Sequence, residues 1–160
     1  MTAVEGMAKV QVNAVCSIAR SLEVLGERWT FLILREAFSG VTRFADFRAA
    51  LGIAPDVLSD RLSTLVESGV LTKEPYREPA ARSRFSYHLT PAAHELLVVL
   101  GALQQWGDDH LPNPAGPTIV RRSRRTGRPL RVDFVDDNCR KVRYKDVEFV
   151  RTAAYPSRER

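Results

Sequence analysis

Only two cysteines, Cys16 and Cys139, stand in this chain of 160 residues. So few exclude a disulfide framework and favour a reducing compartment, where thiols persist. Long apolar runs are missing as well. The longest, Leu96 to Leu100, is far short of the roughly 20 residues that cross a bilayer, so no membrane partner is expected. Residues 1–15 include Glu5 and lack an apolar stretch of signal-peptide kind, from which a cytoplasmic protein without a secretory leader is expected. The three histidines, His88, His94 and His110, lack ligand spacing, since Val98 rather than a second ligand lies one turn beyond His94. Nucleophile–base pairs, carboxylate dyads and glycine-rich phosphate loops are missing too. An enzyme is therefore not expected, nor a metal or other cofactor.

What is present describes a globular protein. Hydrophobic residues make up 44% and charged residues 27%, a normal balance for a packed domain. A chain of this size buries about 69% of its extended surface on folding, enough for a core without staples. Net charge is +5, but unevenly spread. From Pro117 onward 13 Lys and Arg face 6 Asp and Glu, whereas residues 1–116 hold 11 against 13. A basic excess suits nucleic acid or another acidic surface. Here it lies wholly in the tail, so DNA binding by the main domain must be argued from pattern.

Val15, Ile18, Leu22 and Leu25 follow helical spacing, with Asn13 or Ser17 as the cap and Gly26 as the stop. The run from Arg28 to Phe38 is apolar nearly all round, as a helix buried on most sides should be. Phe44, Phe47 and Leu51 mark a short third helix behind a Thr42 cap. Gly52-Ile53-Ala54-Pro55 then makes a tight turn with proline at a first helical position. Helix four buries Leu58, Leu62, Leu65 and Val66, shows Asp56, Ser59, Asp60, Arg61, Ser63 and Thr64 outward, and stops at Ser68-Gly69. Beyond it the period changes to two. Phe85, Tyr87 and Leu89 alternate with polar residues, and Leu71 to Pro75 supplies an antiparallel partner. Thr90-Pro91 opens a last helix whose predicted core face is Leu96, Leu97, Leu100, Leu103 and Trp106.

Helices, a two-stranded hairpin and a long helix, in that order, predict an α+β, mainly helical chain: a winged helix-turn-helix. Such a fold suits DNA, because a helix fits the major groove and a ribbon lies along the backbone or minor groove. The domain is expected over residues 13–110, with a proline-rich linker at 111–117. Residues 118–155 are expected to form a basic C-terminal β-hairpin extension, with strands in TIVRR, PLRVDFV and KDVEFVR.

The residues themselves narrow this further. Cys16, Gly26-Glu27-Arg28-Trp29, Arg43-Phe44 with Phe47, Val57-Leu58-Ser59, Arg61-Leu62, Gly69, Arg84 with Tyr87, and Trp106-Gly107 together resemble the HxlR family of bacterial and archaeal transcriptional regulators, relatives of the MarR-type winged helices. The likeness covers about residues 16–110. Ser17 stands where the family usually has proline, and Ala93 where it usually has glycine. The resemblance implies a homodimer joined through the first and last helices of the domain, bound to double-stranded operator DNA. On sequence alone the apolar stripes of those helices suit a core as well as an interface.

Within this frame Arg82 and Arg84 in the wing, Ser59 and Arg61 on helix four, and Arg43 at helix three are the candidate DNA contacts. Arg61 has a second reading, an ion pair with Glu27 or Asp60. Asp56 and Asp60 repel the phosphate backbone, so specificity has to come from few contacts. Cys16 has two readings. One is a small buried hydrophobe. The other is a sensor of redox or electrophile signals, implied by the resemblance and aided by the helix dipole and Arg20. A small-molecule effector is a further regulatory option. The tail looks like a zinc ribbon that has lost its ligands: Thr126 and Asp136 occupy cysteine positions and leave Cys139 alone, short of the four ligands zinc needs. The rival to a DNA-binding regulator is a winged-helix adaptor that binds protein or RNA.

Overall fold

The computed structural model describes residues 15–77 and 83–155. Arg82 and Asn13, a candidate DNA contact and a candidate cap, lie outside the described residues. The chain divides into two compact units. One runs to Thr90 and takes in the segment from Phe149, and the other is Pro91–Glu148.

Among the described residues of the first unit four helices precede a hairpin: α1 (Ser17–Leu25), α2 (Arg28–Phe38), α3 (Phe44–Leu51), α4 (Pro55–Glu67), β1 (Leu71–Tyr76) and β2 (Arg84–Leu89). Its centre is α2, with Thr30, Ile33, Leu34 and Ala37 buried, as its all-round apolar sequence predicts. Phe47 of α3, Leu58, Leu62 and Leu65 of α4 and Leu71 of β1 complete a core with almost no solvent contact. Each such side chain contributes about 1.5–3 kcal/mol of burial. The hairpin is antiparallel, pairing Leu71 with Leu89 at its base and Tyr76 with Arg84 at its open end. The Thr90 hydroxyl donates to the carbonyls of Gly69 and Val70 at 2.8 and 3.0 Å, which fixes the hairpin's exit.

Two expected caps differ. Cys16, not Ser17, is the N-cap of α1 and makes no side-chain capping bond; the Ser17 hydroxyl instead accepts from Arg20. Arg43, not Thr42, precedes α3, because the Thr42 carbonyl is engaged by the Tyr87 N–H at 2.8 Å. Between α1 and α2, Gly26 donates to the Leu22 carbonyl, and a Cβ at that position would collide with the same oxygen.

The second unit is α5 (Pro91–His110) with the segment beyond it. The buried positions of α5 are Ala93, Gly101 and Gln105, while Leu97, Leu103 and Trp106 of the predicted core face are exposed. Small residues and one amide line the inner side because a second layer of backbone packs there. Gln105 exchanges two hydrogen bonds with Val132, donating to its carbonyl and accepting its N–H, both at 3.0 Å. Gln104 donates to the Ile119 carbonyl. Asp108 pairs with Arg121 at 3.6 Å and Asp109 with Arg131 at 3.3 Å.

The three strands expected after residue 117 are not formed as such. The hairpin character survives as two tight turns, each closed by a single antiparallel bridge, Arg122–Pro129 and Val135–Lys141. A short 3-10 turn follows at Tyr144–Asp146. Alternating β-branched residues suggest strands, but hydrogen bonds to α5 side chains and to the turns' own side chains take the place of a ladder. In the first turn the Ser123 hydroxyl accepts the Thr126 N–H. In the second the Asp136 carboxylate accepts the N–H groups of Asn138 and Arg140, each at 2.9 Å.

Candidate nucleic-acid interface

The helix-turn-helix is built by local geometry. Gly52 adopts a left-handed conformation (φ 61°) that ends α3, its N–H donating to the Arg48 carbonyl. Ile53 is buried under the turn. Ala54 then caps α4 and Pro55 takes its first turn, where the missing N–H costs nothing. With Leu58, Leu62 and Leu65 pointing inward, Asp56, Ser59, Asp60 and Ser63 are left exposed on the opposite face. Ser59 and Ser63 can thus meet base edges or phosphates, and Asp56 and Asp60 base edges alone, without disturbing the core.

Thr64 and Arg61 belong to that face only in part. The Thr64 hydroxyl folds back onto the Asp60 carbonyl at 3.0 Å. Arg61 is half-buried and its guanidinium lies 4.0 Å from the Glu27 carboxylate at the start of α2. The Glu27 pairing, one of the two readings of Arg61, is the one formed; Asp60 is not its partner among the ion pairs of the described residues.

Arg43 sits where α3 meets the hairpin. Its backbone bridges to Ser86 of β2, so β2 is paired on both edges, and its guanidinium lies 4.8 Å over the Tyr76 ring. Tyr76 was not anticipated from sequence. The signal was an aromatic at a strand end beside a basic loop, which suits stacking with an arginine. Arg84 is exposed at the open end of the hairpin and makes no side-chain hydrogen bond or ion pair among the described residues. Phe85, expected on the core side, is exposed with the Lys73 ammonium 4.1 Å over its ring. Tyr87 fills the core side alone with Leu89 half-buried, and burial pushes the Tyr87 phenol above its ordinary value, keeping it neutral. His88 lies 2.9 Å from the Ser86 hydroxyl and 3.7 Å from Glu74 across the hairpin.

Cys16 is half-buried at the start of α1. Of the neighbours expected to bury it, Val15, Ile18 and Trp29, the first two are exposed and Trp29 is half-buried. Among the described residues no three His, Cys, Asp or Glu side chains converge as a metal site would require. No helix of the described residues is long and apolar enough to cross a membrane.

Known proteins share this arrangement. The family model described as HxlR-like helix-turn-helix matches residues 24–115. An HTH-type transcriptional regulator of Mycobacterium tuberculosis is 47% identical over 123 residues, 77% of each chain. The solved structure of the transcription factor PA1607 is 34% identical with a TM-score of 0.74, covering 86% of this chain and 95% of that one. The transcription factor PA1374 of Pseudomonas aeruginosa is 36% identical with a TM-score of 0.62, covering 89% and 96%. Coverage that wide cannot be reached without the segment after residue 117, so both likenesses extend past the helix-turn-helix.

Proposed function

The chain belongs to the HxlR-like helix-turn-helix family of transcriptional regulators, and from that premise we propose that it binds double-stranded operator DNA as a homodimer. One observation carries the reading. The helix α4 has leucines fully buried on one side and Ser59, Asp56, Asp60 and Ser63 exposed on the other, beside a hairpin that ends in exposed Arg84. In this reading Ser59 meets base edges, Arg84, Arg82 and Arg43 meet phosphates, and Arg61 contributes by holding α4 against Glu27 or by leaving it for a phosphate. A homodimer is supported by the exposed apolar residues Val15 just before α1, Ile18 and Leu22 on α1, and Leu97, Val98, Leu103 and Trp106 on α5. A twofold dimer would set two α4 helices on half-sites about 10 bp apart.

Arg84→Ala is expected to weaken operator binding and to make the dependence of log K on log salt shallower by about one unit, as for one lost phosphate contact. Ser59→Ala is expected to change which bases are preferred while leaving that slope alone. Gel shifts on DNA upstream of the protein's own gene, with RNA as competitor, measure both. Parent-like binding by both variants at every salt concentration would remove the docking scheme. Displacement of the duplex by RNA alone would favour the adaptor.

Cys16 is the proposed point of redox or electrophile input. Cys16 is the residue that opens α1, and its hydroxyl-free side chain makes no capping bond there, so the thiol is left for another role. Half-exposure gives a reagent access. Oxidant or quinone is expected to modify Cys16 and release operator DNA, with the response lost in Cys16→Ser. An oxidant response of equal size in the serine variant would leave this thiol a packing group.

A further inference from the structure

We propose that the turn Arg122–Arg128 is a second contact for duplex DNA, gripping backbone phosphates through four arginines. The proposal rests on the DNA-binding reading above and adds a site outside the helix-turn-helix and its wing. Between residues 121 and 131 stand six arginines and no acidic residue. Two of them, at the edges, are committed: Arg121 to Asp108 and Arg131 to Asp109. Lys141 and Arg143 are also matched, with Asp133 and Asp146, whereas Arg140 and Lys145 stand outside the turn without an ion pair among the described residues. Arg122, Arg124, Arg125 and Arg128 are different. All four are exposed, and among the described residues their side chains make no hydrogen bond, ion pair or ring contact.

The turn that carries them is firmly built. Ser123 donates its N–H to the Arg128 carbonyl at 2.9 Å and accepts the Gly127 N–H on its own carbonyl at 2.8 Å. The Ser123 hydroxyl takes the Thr126 N–H at 3.2 Å. Gly127 supplies the left-handed residue (φ 68°) that closes it. Beneath the turn, Leu130 donates to the Arg121 carbonyl at 2.9 Å, and Arg121 and Val132 pack against Gly101 of α5. Four like charges within seven residues repel one another, and nothing in the turn relieves that repulsion. A solvated charge run needs no such framework. A framework that fixes the backbone beneath unpaired guanidiniums suits a partner with closely spaced negative groups, since guanidinium matches phosphate in geometry as well as charge. Duplex DNA offers a phosphate about every 1.7 Å of axis. Asp56 and Asp60 on α4 make such an anchor useful, because the helix-turn-helix alone carries little excess positive charge.

The test uses the full chain with Arg122, Arg124, Arg125 and Arg128 all changed to Gln, a second variant with all four changed to Lys, and Arg84→Ala as the wing reference. Binding to upstream duplex and to duplex of unrelated sequence is measured across salt concentrations. The Gln variant is expected to show a salt slope shallower by about 2–4 units on both duplexes, four contacts at about 0.9 each setting the upper bound. The Lys variant, which keeps the charge, is expected to retain most of the slope. A Gln variant with the parent's slope, while Arg84→Ala loses its unit, would overturn this site and leave the operator-binding reading intact. Absence of duplex binding by the parent itself would overturn both. A Lys variant as impaired as the Gln variant would overturn it in favour of a structural role. Unchanged duplex binding with lost affinity for single-stranded RNA, or for vesicles containing phosphatidylserine, would assign the arginines to that other polyanion.

Discussion

Leu22→Glu is expected to convert the dimer to monomer and to cost the operator complex about 10²–10⁴ in affinity, the range gained when two linked half-site contacts act together. Leu22 is 55% exposed and Ile18 67% exposed, although both lie on the apolar stripe of α1. Only Leu25 of that nine-residue helix is buried. An isolated helix this short is marginal in water, so a stripe left open to solvent supports the proposed homodimer, in which a second copy presenting the same stripe would cover it. Burying each leucine or isoleucine contributes about 1.5–3 kcal/mol, whereas a carboxylate trapped there without a partner costs several. Because residue 22 is open in the single chain, the substitution spares the fold, and circular dichroism should be unchanged. Sedimentation and gel shift report the loss. A variant that remains dimeric would place the interface away from α1.

The helix-turn-helix was legible because its signals are local. The 3.6-residue period of Leu58, Leu62 and Leu65, the Gly52–Pro55 turn and the Ser68-Gly69 stop all describe what the chain does within a few residues. The two-residue alternation that gave β1 and β2 is of the same kind, and the register from Leu71–Leu89 to Tyr76–Arg84 follows from it. Reading failed where the deciding partner is distant in sequence. Counting apolar residues on α5 picked Leu97, Leu103 and Trp106 for the core, yet a close-packed layer of chain selects small side chains, and Gly101 with Gln105 is the side it meets. Caps failed for a similar reason: Thr42 looks like a helix start until the hairpin engages its carbonyl. Phe85 shares its face with buried Tyr87 yet is exposed beside Lys73, since a period tells which residues share a face and not how far along the strand that face is covered. For the candidate site, Arg84 and Ser59 fell on exposed positions as the pattern required, while the 4.0 Å approach of Arg61 to Glu27 depends on α2 and is not fixed by the pattern of α4 alone.

Gln105→Leu is expected to loosen the unit formed by α5 and the following segment by about 2–4 kcal/mol, although leucine nearly matches glutamine in volume. The amide of Gln105 acts as a short strand, meeting both the N–H and the carbonyl of Val132 at 3.0 Å in a buried setting. Leucine would leave both backbone groups unpaired, and each buried group so orphaned costs about 1–3 kcal/mol. The apolar replacement returns part of that through burial. The exposed Asp109–Arg131 pair remains and contributes about 0–1 kcal/mol, and the half-buried Asp108–Arg121 pair, at 3.6 Å, is too long for a hydrogen bond, so the two cannot hold the segment alone. Faster hydrogen exchange at the Val132 amide and protease cleavage after the arginines of residues 121–131 should follow. Exchange in α2 and α4 should stay as in the parent, because their core of Ile33, Leu34, Leu58, Leu62 and Leu65 contains no residue of this unit. If Val132 exchanges as slowly in Gln105→Leu as in the parent, packing against Gly101 rather than the amide holds the segment to α5. If Gln105→Ala and Gln105→Leu differ widely, volume rather than hydrogen bonding is the larger part. The expected order is Leu and Ala both loosened, with Ala worse by the side-chain methylenes it also lacks.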